Sequence, residues 1–156
     1  VTRRRILVGA GGLALLCAAT AVAQIAAGPE LRLTPEEIAQ MPAVQPSAGT
    51  SGIAAIRMVV LYGDPERAGP YTIALEVPPN TRIKAHTHRD ERTAVVVRGT
   101  WYFGYGAHAD DAAFKALGPG SFYTEPAGAA HFARTGADGA TVYISGMGPS
   151  DTHYLE

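Results

Sequence analysis

From Ile53 onward, apolar residues come in short runs rich in Val, Ile, Tyr and Phe, each closed by turn residues. The runs are Ile53 to Tyr62, Tyr71 to Val77, Ile83 to His86, Thr93 to Val97, Thr100 to Phe103, Ser121 to Thr124, His131 to Arg134 and Thr141 to Ser145. Between them stand Gly63-Asp64-Pro65, Pro78-Pro79-Asn80, Gly104 and Gly118-Pro119-Gly120. β-branched and aromatic side chains suit a pleated surface and Gly and Pro supply the turns, so residues 53–150 are expected to form an all-β sandwich or closed barrel. One stretch departs: Ala112, Phe114 and Leu117, within Asp110 to Leu117, predict one or two helical turns in an inter-strand loop.

Ahead of the strands the pattern changes. Arg3, Arg4 and Arg5 precede an apolar run from Ile6 to Ala19, and Ala21-Val22-Ala23 supplies a small-x-small cleavage site. Residues 1–23 therefore read as a signal peptide cleaved before Gln24, and the apolar run is too short and too rich in glycine to span a bilayer comfortably. The order Thr2-Arg3-Arg4-Arg5-Ile6-Leu7 resembles a twin-arginine signal, and the general secretory route stays open beside it. The expectation is an exported protein, periplasmic or secreted, with no stable membrane anchor after cleavage. Residues 24–52, rich in Ala, Pro, Gly and Ser, read as an arm with one helix signal, the capping box Thr34-Pro35-Glu36-Glu37. Residues 151–156 read as a polar tail.

Composition narrows the function. Cys17, the only cysteine, lies in the leader, so the mature chain has neither a disulfide nor a thiolate metal site. It would carry ten basic residues against fourteen acidic ones, a net of −4 with neutral histidines, which disfavours nucleic acid as a partner. At 156 residues one domain with a sizeable core is expected.

The chemistry gathers on histidines. His86-Thr87-His88 places two imidazoles on one face of a strand, and His131 opens another strand after Pro126-Ala127-Gly128-Ala129-Ala130. If the two segments are neighbours, three nitrogen ligands converge on a metal and leave open positions on it, as a reactive site needs. For the His-x-His pair alone, a solvated strand face is the alternative.

The surrounding residues resemble both motifs of the cupin family. The first (Gly, five residues, His-x-His, three or four residues, Glu, six residues, Gly) is met by Asn80 through Arg92 with Gly99 at its close. The second (Gly, five residues, Pro-x-Gly, two residues, His, three residues, Asn) is met by Gly120, Pro126, Gly128 and His131. The likeness runs from about Gly52 to Tyr154 and points to small exported bacterial cupins of the type-2 kind. It implies a single-domain jelly-roll β-barrel of six to eight strands, with His86, His88 and His131 as metal ligands. There are three departures: Asn80 for the first Gly, Thr135 for the final Asn, and Arg92 where the family has its acidic ligand.

An arginine stays protonated and cannot ligate a metal. Arg92 therefore either pairs with a carboxylate, Glu125 or Glu91, or holds a substrate anion in its fork. Glu91 should point away by strand alternation unless a bulge shifts it, and Glu125 is the other candidate for the missing ligand. Tyr102 is a candidate pocket residue, with Tyr105, Phe122, Tyr123 and Phe132 weighed between pocket and core; His108 and His153 are expected to be solvated. The resemblance implies a divalent ion (Fe, Mn, Ni, Cu or Zn) and a metal-dependent enzyme acting on a small, anionic organic molecule, with oxygenase chemistry foremost and decarboxylase, isomerase or lyase chemistry beside it. The alternative is a non-catalytic periplasmic binder of a metal or small molecule. Either reading admits a homodimer.

Overall fold

The computed structural model of the chain describes residues 28–44 and 52–155. The expected leader and part of the arm lie outside the described residues. Of the described residues, 33–44 and 52–155 fall in one compact unit.

Eight strands follow the short helix α1 (Pro35–Gln40): β1 (Arg57–Tyr62), β2 (Gly69–Val77), β3 (Arg82–Thr87), β4 (Arg92–Tyr105), β5 (Lys115–Leu117), β6 (Phe122–Glu125), β7 (His131–Gly148) and β8 (His153–Tyr154). Two runs on either side of Gly99 are one strand, β4, and the two runs after Gly128 are one strand, β7. Each of these long strands serves both faces of the fold. Arg92 to Gly99 of β4 pair with Ala140 to Gly146 of β7 and, at their start, with β6, whereas Trp101 to Tyr105 pair with His131 to Thr135 and with β5. With β1 and β2 added to the first face and β3 and β8 to the second, the sheet folds over on itself without closing. This is a jelly roll.

The bend depends on glycine. Gly99 has φ +72°, and a Cβ there would stand 2.1 Å from the Gly139 carbonyl oxygen, so no other residue lets the two long strands cross this closely. Register shifts on both sides of it, between Val96 and Arg98 and between Gly99 and Trp101, re-aim the side chains as β4 passes from one face to the other. The core lies between the faces, built on Met58, Tyr71, Ile73, Val96, Trp101, Phe103, Val142 and Ile144.

Two motif departures have local explanations. Asn80 takes φ +54°, the left-handed conformation that glycine or asparagine adopts most readily. Thr135 clamps the same turn: its Oγ1 accepts from the Thr81 N–H at 2.9 Å and donates to the Pro78 carbonyl at 2.6 Å. Asp110 to Leu117, expected as helical turns, holds a single 3-10 turn at Asp111–Ala113 and then β5, because Lys115 to Leu117 find the free edge of β4.

The described part of the arm packs on the sheet: Ile38 is buried, Val44 bridges to Met58, and Arg57 Nη2 donates to the carbonyls of Met41 (2.6 Å), Ala39 (3.1 Å) and Ile38 (3.4 Å) while Nη1 pairs with Glu76. The guanidinium thus satisfies carbonyls that a helix end leaves unpaired. Arg57→Ala is expected to cost about 2 kcal/mol in urea unfolding, and a change within error would show that the helix docks without it. The tail is also structured, since His153–Tyr154 pair with Thr87 and His86 as β8.

Candidate metal centre

His86 and His131 are direct cross-strand partners on β3 and β7, with ring centroids 4.4 Å apart. His88, just past the end of β3, completes the group, its ring 4.8 Å from His86 and 5.1 Å from His131. A register shift in β3 between Ile83 and His86 lets the apolar Ile83 and Ala85 be buried and still turns both histidines inward. All three are buried, and their potential ligand atoms lie within 4.8 Å of one another, so they can hold a metal ion.

The rings are also oriented for it. Each Nδ1 faces a backbone carbonyl: Lys84 at 2.7 Å for His86, Ala129 at 3.0 Å for His131, and Asp151 for His88. A carbonyl only accepts, so each Nδ1 carries the proton and each Nε2 keeps a lone pair, the arrangement that typically backs a metal-bound histidine. The Nε2 of His131 is buried and has no partner.

Burial also keeps the rings neutral. It holds His86 down at about 4, helped by His131, and His88 at about 3, helped by the Arg92 charge; His131 is lowered by burial too. Because these values lie below the ordinary 6.5, the unfolded chain takes up protons that the folded chain refuses as pH falls from about 6.5 toward 4. Metal-free protein is therefore expected to lose up to about 3 kcal/mol for each of His86 and His88 across that window, with His131 acting in the same direction. A urea midpoint that stays flat between neutrality and pH 4.5 would contradict this.

Arg92 faces inward beside the histidines, and Glu91 is exposed, as alternation requires. The carboxylate that answers Arg92 is Glu125, its direct partner across β4 and β6. Nε donates to Glu125 Oε2 at 2.6 Å, and Nη2 reaches both the same oxygen and the Nε2 of His88. Glu125 Oε2 stands 3.7 Å from His88 Nε2 and 3.8 Å from His131 Nε2. Burial pushes this carboxyl up, but Arg92, then His131 and His88, hold it at about 2. Glu125 is ionised and Arg92 is charged, so the buried pair is neutral as a whole.

Sequence reasoning overlooked a second polar group behind Arg92. Asp90 is buried and accepts from Tyr71 Oη and Ser150 Oγ, each at 2.7 Å. Gly146 leaves room for it, since a Cβ there would meet Tyr71 Oη at 2.7 Å and Asp90 Oδ2 at 2.8 Å. The parity of Asp90 with Arg92 was the readable signal. Also unseen was the Asp151 carbonyl behind His88, for a backbone acceptor leaves no mark in residue identity.

The candidate pocket aromatics divide. Tyr102 is not in the site: Trp101 and Phe103 take the inward positions, and Tyr102 faces outward with the Arg134 guanidinium 4.0 Å from its ring. Phe132 is buried on the opposite side of β7 from His131, against Phe114. Tyr105, Phe122 and Tyr123 line a pocket of about 400 Å³ along β5 and β6, together with Phe103 and Lys115. Phe103 also bounds the metal-site cavity, which has a volume of about 20 Å³ and is lined by the three histidines, Arg92, Glu125, Trp101 and aliphatic residues. His108 and His153 are exposed, and neither belongs to the cluster, although His153 pairs across the strand with Thr87.

No protein-family model and no curated protein sequence matches the chain. Solved structures do. The polyketide cyclase RemF from Streptomyces resistomycificus superposes with a TM-score of 0.61 at 19% identity, over 82% of this chain and 88% of its own. An RmlC-like cupin from Shewanella frigidimarina gives 0.55 at 16% identity, over 77% and 92%. A cupin-superfamily sugar phosphate isomerase from Silicibacter pomeroyi gives 0.55 at 16%, over 80% and 81%. The chain has a cupin fold.

Proposed function

We propose that the protein is an exported, metal-dependent enzyme acting on a small, anionic organic molecule, with oxygenase-like chemistry. The observation that carries this is the set of three buried imidazoles whose Nδ1 protons are tied to carbonyls and whose Nε2 atoms converge on one small cavity. A divalent ion held there supplies a Lewis acid with open positions for oxygen ligands. The histidines bind and orient it, Arg92 sets beside it a guanidinium that pairs with Glu125, and Trp101 and Phe103 line the cavity. That a polyketide cyclase and a sugar phosphate isomerase share this fold supports a small-molecule substrate.

One observation favours the second reading, a non-catalytic binder of metal or small ligand. A cavity of about 20 Å³ holds an ion or a water molecule, not an organic substrate. The aromatic pocket of about 400 Å³ across Phe103 is of ligand size, and under the enzyme reading it is the place for the substrate. The readings separate by experiment. Protein recovered from its native export route, without a histidine tag, is analysed for metal and then screened for O₂ consumption with small acids, phenols and diketones. Uptake with any of them supports the enzyme; stoichiometric metal with no turnover supports the binder.

A further inference from the structure

We propose that Glu125 is the fourth metal ligand, supplied from β6 in place of the acidic side chain that position 92 lacks, and that Arg92 is its exchangeable counter-ion. The inference rests on the metal reading above.

The geometry is specific. Donor atoms around one ion at bonds near 2.1 Å lie about 3.0 to 3.4 Å from each other. Glu125 Oε2 stands 3.7 Å from His88 Nε2 and 3.8 Å from His131 Nε2, a few tenths of an ångström outside that spacing. It is a buried carboxylate, and the second of its neighbours is a buried Nε2 with no hydrogen-bond partner. Arg92 and Glu125 are register partners, so the acid sits directly across one strand from the position it replaces.

The guanidinium already interacts with two of the groups an ion would use, donating to the lone pair of His88 and to Glu125 Oε2. A metal ion and Arg92 therefore compete for the same donors. As the ion takes Glu125, the buried carboxylate of Asp90 still acts on Arg92. The cost of unpairing a buried cation is thereby reduced, and the site takes the ion without stranding a charge.

The test is a Co²⁺ titration of metal-free protein, read both by visible d–d absorption and by chelator competition. Glu125→Gln is expected to weaken binding by at least about tenfold and to change the band pattern, since one anionic oxygen leaves the coordination sphere. The swap Arg92→Glu with Glu125→Arg returns the acid to position 92 and is expected to recover both affinity and spectrum. Where Glu125→Gln fails to fold, Arg92→Met is compared with Arg92→Met/Glu125→Gln, which carries no unpaired buried charge, and the same loss is expected between them. Wild-type spectrum and affinity in the Glu125→Gln protein would overturn the assignment and leave the three-histidine site intact. Failure of the wild type itself to bind Co²⁺ would overturn both.

Discussion

His131→Ala is expected to reduce metal affinity by more than about a hundredfold, since losing even an outer partner of a ligand costs tenfold to a hundredfold. His131 contributes a buried Nε2 with no other partner, and its Nδ1 proton is fixed on the Ala129 carbonyl, so the ring is already turned for ligation. Alanine removes that donor and leaves His86 without its cross-strand neighbour. Isothermal titration with Zn²⁺ or Co²⁺ measures the change. Tyr102→Ala is the matched control: Tyr102 lies under Arg134 on the outer face, and its loss should leave metal affinity unchanged. Equal affinities for wild type and His131→Ala would mean that the cluster is not the site.

Arg92→Glu is expected to act in opposite directions with and without metal. Without an ion it replaces a neutral pair with two carboxylates at facing positions of β4 and β6, and breaking a buried pair in this way costs about 3 to 5 kcal/mol. With an ion, the added carboxylate offsets one unit of its charge where the guanidinium added one, so retention should strengthen. Thermal unfolding with and without chelator should then show a much larger metal-dependent shift in the variant than in wild type, by mass action. Binding of a carboxylate ligand should weaken, because the fork is gone. A variant matching wild type in metal affinity and in both melting temperatures would show that the guanidinium exerts no influence on the ion.

Much of the site could be read from residue order. The His-x-His spacing, the turn before His131 and the parity that sends Glu91 outward and Arg92 inward all depend on local strand geometry, and each corresponds to what is seen. The choice between Glu125 and Glu91 as partner of Arg92 was left open, because it is set by the register of β4 on β6, a non-local fact. Tyr102 was misplaced for a related reason. The two register shifts around Gly99 break the alternation between Arg92 and Trp101, and residue types alone do not count the extra residues. The docking of α1 through Arg57, and the return of the chain end to place the Asp151 carbonyl on His88, involve backbone carbonyls that no sequence pattern marks.

One divalent ion is expected on His86, His88 and His131. The direct measurement is elemental analysis of untagged full-length protein, alongside His131→Ala prepared identically. Close to one divalent metal ion per chain is expected in the wild type and almost none in the variant. A wild-type protein without stoichiometric metal, or a variant that keeps it, would mean that the three histidines are not a metal site.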